Sequence, residues 1–143
     1  MSMNKFREAF RDVAKHYSEL YPQRFCLAED EDRDILNFIK SNDNGFDIQL
    51  ECMDYGVYPS SDGWHTGCWD VAVIPPSNLR DVMVEFIESI LQDAELVIHS
   101  SNGKPYRWIM RYQVEGERVE DETGLILFNW FGKRSVRTLS NFR

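Results

Sequence analysis

Phe6, Phe10, Val13, Tyr17, Leu20 and Tyr21 recur at three- and four-residue steps, with Lys5, Arg7, Glu8, Arg11, Asp12, Lys15 and Glu19 between them. That spacing predicts an amphipathic helix ending near Pro22. A run of acidic residues from Glu29 to Asp34 then precedes Ile35, Leu36, Phe38 and Ile39. Carboxylates favour the positive end of a helix dipole, so a second helix is predicted over 30–40, stopped by the turn chemistry of 41–45. From Phe46 the period changes to two: Phe46, Ile48, Leu50 and Cys52 alternate with Asp47, Gln49 and Glu51. This predicts a half-buried strand, extended by 55–58 past a bulge at Gly56. Residues 60–67 read as a loop and 68–74 as a more buried strand that Pro75-Pro76 ends.

Leu79, Val82, Met83, Phe86, Ile87, Ile90 and Leu91 form the cleanest apolar stripe in the chain. They predict a third helix, capped by Ser77 or Asn78. Leu96–His99 reads as a short strand, and Asn102-Gly103 is a hairpin turn signal. The return strand puts Tyr106, Trp108, Met110, Tyr112 and Val114 on one face. A polar turn is expected over 116–123, an apolar strand over 124–131, and a last short helix over 133–143 carrying Val136, Leu139 and Phe142. The predicted class is α+β: a two-layer sandwich, mostly an antiparallel sheet of about five strands, with three to four helices packed on one face.

The chain has 143 residues, of which 43% are hydrophobic and 28% charged. It reads as a single α+β domain over 1–143 that can bury its own core. No apolar run approaches the ~20 residues of a membrane span, and the N-terminal stretch has no continuous apolar segment of the secretory type. The three cysteines, Cys26, Cys52 and Cys68, are an odd and sparse set, unsuited to a disulfide framework. The expectation is a cytoplasmic protein with reduced thiols and no membrane partner.

Charge changes the picture most. The net charge is −8, which opposes direct nucleic-acid binding because phosphate neutralisation needs the opposite sign. It is also uneven: the first 103 residues hold eight Lys and Arg against nineteen Asp and Glu, whereas the last 40 hold eight against five. Arg107, Arg111, Lys133, Arg134, Arg137 and Arg143 read as intramolecular complements to the acidic part, with an anion site as the lesser alternative.

Several chemical patterns stand against this background. Residues 40–51 follow calcium-loop spacing at Asn42, Asn44, Gly45 and Glu51, but Lys40 stands where an acidic ligand is needed and a strand follows. A turn, with Gly45 in a left-handed conformation, is the expectation. His65 and Cys68 lack the paired cysteines of a strong zinc pattern, and buried packing is the expectation for the thiols. Asp54, Asp62 and Asp70 cluster as acid–base chemistry would need, yet the chain is acidic enough for such clusters to arise by chance. No phosphate-cradling glycine motif occurs. No cofactor and no metal site is expected.

The strongest feature is a surface. Between Glu29 and Asp70 eleven carboxylates face only Arg33 and Lys40, and the same stretch carries Tyr55, Tyr58, Trp64, His65 and Trp69. Aromatic anchors within a field of one sign resemble an interface. The expected partner-binding residues are Asp54, Tyr55, Tyr58, Asp62, Trp64, His65, Trp69 and Asp70. The expected function is a non-enzymatic, acidic protein-binding module, in one form an immunity-type inhibitor that captures a basic partner such as a nuclease toxin. Two alternatives stand beside it. One is a small enzyme or small-ligand-binding protein with its site near the 60–70 loop, on Cys68, His65 and Asp70. The other is a subunit of a homo- or hetero-oligomeric assembly.

Overall fold

The structure is a computed structural model, and it describes residues 4–114, 116–124 and 132–142. The first apolar stripe folds as helix α1 (Lys5–Leu20). Its start is capped by the Asn4 side chain, which accepts from Arg7 N–H at 2.8 Å and so satisfies one of the free amides of the first turn. Phe6, Phe10, Val13 and Tyr17 are buried along it, while Leu20 and Tyr21, predicted on the same stripe, are exposed. The chain then forms a hairpin of β1 (Phe25–Glu29) and β2 (Asp34–Phe38), followed by β3 (Ile48–Met53), β4 (Gly56–Ser61), β5 (Trp64–His65) and β6 (Trp69–Asp70). Helix α2 (Pro76–Gln92) leads into β7 (Glu95–Ser101), β8 (Lys104–Val114), β9 (Glu117–Gly124) and β10 (Arg134–Ser140).

Two antiparallel sheets result. The first runs β1-β2-β3-β4-β5, with β6 also paired to β4; the second runs β10-β7-β8-β9. The predicted architecture is therefore corrected. Among the described residues there are two helices and ten strands, so the protein is mostly β, with neither a five-stranded sheet nor three to four helices. One core joins the pieces: Leu36, Leu50 and Trp64 of the first sheet, Leu96 and Met110 of the second, and the buried stripes of both helices.

Particular segments account for the difference. The helix predicted over 30–40 is a strand because Asp34, Leu36 and Phe38 point inward together, which is period two. The acidic residues ahead of it form the hairpin turn. The bulge predicted at Gly56 is a chain reversal: Met53 pairs with Gly56 across Asp54-Tyr55, so 56–61 is a separate strand. The 60–67 loop contains the end of β4, a turn at Asp62-Gly63 with Asp62 at φ 51°, and β5. Only Trp69 and Asp70 of the strand predicted over 68–74 are paired. Asp70 holds the rest in a turn. Its carboxylate accepts from Ala72 N–H at 2.8 Å, and its carbonyl accepts from Ile74 N–H at 2.8 Å. Helix α2 begins at Pro76 with Pro75 as its cap, a few residues before the predicted Ser77 or Asn78, and proline suits that first turn because its missing N–H would be unpaired there anyway.

The polar turn predicted over 116–123 is β9, and the tail predicted as a helix is β10. The apolar strand predicted over 124–131 falls outside the described residues, except Gly124, which ends β9. The Asn102-Gly103 turn does join β7 to β8, both residues having positive φ, as a tight hairpin of this type requires. Gly45, by contrast, is not left-handed. A Cβ there would collide with Asn141 Oδ1. The missing side chain makes room for Asn141, which is buried and exchanges hydrogen bonds with both the N–H and the C=O of Phe46. That contact fastens the segment after β10 to the entry of β3.

Candidate functional site

The first sheet has two unlike faces, because successive side chains of a strand alternate. Its inner face is mostly apolar, interrupted by the buried Asp34 and Ser61. Asp34 is fully buried and accepts from Arg7 at 3.2 Å and from Arg11 at 2.8 Å, tying β2 to α1. The Arg7 guanidinium also donates to the carbonyls of Asp30 and Glu31, both at 2.6 Å, and to Asp54 at 3.4 Å. Arg11 pairs with Glu29 at 3.0 Å as well. Burial opposes ionisation of Asp34, but the hydrogen bonds from Arg11 and Arg7 outweigh it and hold its pKa below the ordinary carboxylate value, since a donor to the charged form favours that form. Four of the eleven carboxylates of 29–70 are therefore ion-paired within the protein: Glu29, Asp34, Glu51 (with Arg33 at 3.4 Å) and Asp54.

The outer face is built from cross-strand rows. Ile35, Glu51 and Tyr58 form one row, and Asn37, Gln49, Ser60 and His65 the next. Two shallow hollows lie over it. One, of about 400 Å³, is lined by Glu51, Met53, Tyr55, Tyr58 and His65. The other, of about 470 Å³, is lined by Asn37, Ile39, Asp47 and Asp62. Gln49 and Ser60 line both, so the two form one trough, and among the described residues no Lys or Arg lines either. The Tyr55 and Tyr58 rings meet edge to face with centroids 6.3 Å apart, an arrangement that sets the positive ring edge on the negative face. The Tyr58 hydroxyl is held in its neutral form by hydrogen bonding to Tyr55 and then to Cys68, which raises its pKa. Asp54, in the turn between β3 and β4, has a 70% exposed side chain that pairs with Arg7 of α1.

The trough gathers Tyr55, Tyr58, Asp62 and His65. Asp54 lines neither hollow, its carboxylate being paired with Arg7 of α1, and the other three expected partner-binding residues are left out as well. Trp64 is a core residue with no exposed surface, its indole N–H donating to the Asp121 carbonyl at 2.9 Å, so it offers nothing to a partner. Trp69 lies on the opposite side of its strand and meets Phe86 of α2. Asp70 is occupied in its turn. Asp62 has a structural task too, accepting from the Trp108 indole at 3.1 Å. The residues missed include Asn37, Ile39, Asp47, Gln49, Glu51, Met53 and Ser60. The alternation over 46–52 did mark Asp47, Gln49 and Glu51 as one face, but the register that sets Tyr58 and Ser60 beside them is a tertiary fact.

The thiol and metal candidates come apart in the same way. Cys52 is buried, and desolvation pushes its thiol up to about 12, which leaves it unreactive because the thiolate is the nucleophile. Cys68 is half-buried against Gly56, and no side-chain hydrogen bond joins it to His65. Among the described residues no group of three His, Cys, Asp or Glu side chains is placed to hold a metal ion. Both arginines of β8 are paired locally: Arg107 with Glu122, and Arg111 with Glu120 at 2.8 Å. The complements of these two arginines are thus acids of β9, not those of the acidic first 103 residues. No helix among the described residues is long and apolar enough to cross a membrane. Comparison with protein-family models, curated proteins and solved structures finds no match to this chain.

Proposed function

We propose that this protein is a non-enzymatic binding module that captures a basic protein partner on the outer face of its first sheet. The observation that carries the reading is the trough itself. Asp47, Glu51 and Asp62 line it together with two tyrosines in mutual contact, and among the described residues no Lys or Arg lines it. Carboxylates so placed steer a positively charged surface and set its orientation, and they act mainly on the association rate. Tyr55 and Tyr58 supply contact area that is desolvated on docking, where binding energy concentrates.

An immunity-type inhibitor is the concrete form of this proposal. It would act in the cytoplasm by covering the basic, nucleic-acid-binding surface of a nuclease toxin. Support comes from the sign of the field and from the lack of a complete catalytic or phosphate-binding motif in the sequence. The test is affinity capture from lysate of the source organism with steps of rising salt, using the wild type and a Glu51→Lys, Tyr58→Ala variant as parallel baits. A basic protein held by the wild type, released by salt and lost from the variant is the expected result. Equal retention by both baits, or retention of acidic proteins alone, would overturn the reading.

A further inference from the structure

A second depression lies away from the trough. It is a groove of about 700 Å³ between α2, the 71–74 turn and the end of β8. Its floor is a chain of aromatic rings: Trp69 meets Phe86 edge-on with centroids 5.2 Å apart, and Phe86 meets Tyr112 in the same way at 5.3 Å. Val73 and Val114 form its lips, and Val73 is 80% exposed. Strand β8 outruns β7, because their register begins at Glu95 opposite Arg111. On that side Tyr112, Gln113 and Val114 therefore border the groove and α2 instead of a strand. The strand end is anchored, with Gln113 N–H donating to the Ser89 hydroxyl at 3.0 Å.

Charge decides what fits. Asp81 and Glu85 stand one turn apart on the α2 wall, and among the described residues no Lys or Arg lines the groove. Glu85 also accepts from Gly116 N–H at 3.3 Å, so Asp81 is the more available of the two. Apolar lips on one side and carboxylates on the other are complementary to a chain segment that is apolar along one edge and cationic along the other. An enclosed small apolar solute would leave the carboxylate wall unused. We propose that this groove binds a short basic peptide segment of a protein partner. Its apolar side chains would cover Trp69 and pack against Val73 and Val114, and its Lys or Arg side chains would face Asp81 and Glu85. The proposal is independent of the trough on the first sheet.

The experiment is selection of random short peptides displayed on phage against the full-length chain, followed by affinity measurement of the enriched peptides. Enriched peptides should combine Lys or Arg with Leu, Ile, Phe or Trp. They should bind the Val73→Lys, Asp81→Lys variant about tenfold or more weakly, a loss of about 1.4 kcal/mol. Both positions are exposed, so the variant keeps its core. The same peptides should bind Tyr58→Ala as they bind the wild type, which separates the groove from the trough. Failure of any peptide to enrich, enrichment of acidic peptides, or undiminished binding to the groove variant would overturn the proposal. Loss of binding in Tyr58→Ala alone would overturn it too, by moving the peptides to the trough.

Discussion

Asp34 and Glu51 stand one position out of register on paired strands, since Asp34 lies opposite Cys52 and Ile35 opposite Glu51. They therefore face opposite sides of the first sheet. Asp34 is sealed inside and shared by two arginines, whereas Glu51 lines the open trough with a single partly exposed arginine partner. Both belong to one acidic run, and nothing in the local composition tells them apart. The lesson is that net charge along a segment measures the field only after the inward carboxylates are subtracted. A one-residue shift in a strand decides which those are.

The largest expected effect breaks the inner half of this comparison. Asp34→Ala leaves two arginines without their buried partner and should destabilise the protein by about 3–5 kcal/mol, read from urea denaturation. A loss no greater than that of a surface substitution would show that water, not Asp34, satisfies Arg7 and Arg11. Acid sharpens the same point. The folded-state pKa of Asp34 is depressed. Its contribution is therefore fully present above the unfolded value of about 3.9 and fades as pH falls towards the folded pKa. Unfolding midpoints measured from neutral pH to about 2 should fall more steeply for wild type than for Asp34→Asn. Parallel curves would contradict the depressed pKa.

The two faces differ for thiols as well. Cys26 lies on the outer row beside Asn37 and is exposed, while Cys52 lies opposite Asp34 and is buried, with its thiol pushed up to about 12. A thiol reagent at neutral pH should modify Cys26 readily and Cys52 only as the protein unfolds. Equal rates would mean that the sheet opens locally. The smallest effect belongs to the trough: Glu51→Gln should change stability by no more than about 0.5 kcal/mol. If it matched Asp34→Ala, the outer face would be structural and the proposed function would lose its support.

Legibility in the sequence followed the range of the interactions. Helices α1 and α2 and the β7–β8 hairpin were readable because a stripe at 3.6-residue spacing or an Asn-Gly turn is a local signal. The segment 30–40 misled because its four apolar residues suit either period at that length. What favours the strand is the pairing of Asp34 with arginines more than twenty residues earlier. The tail misled for a related reason. Val136, Leu139 and Phe142 are spaced like a helix face, yet only Leu139 of the three is buried. The ladder that pairs 134–140 with β7 along its whole length outweighs so weak a stripe, and the β-branched Val136 and Thr138 suit a strand. In the candidate site, the aromatic and acidic character of 54–70 was readable, but its division between trough, core and groove was not.

By itself, then, the sequence determined the two helices, the alternating faces of 46–52, the sign of the field and the region in which aromatic residues gather. Tertiary structure decided the rest: that Trp64 fills the core, that Trp69 turns towards α2, and that Tyr58 sits beside Glu51. The physical reason is that hydrophobic periodicity is written within a few residues. The register of a sheet is settled between segments far apart in the chain, by whichever pairing buries the apolar faces and leaves no buried charge unpartnered.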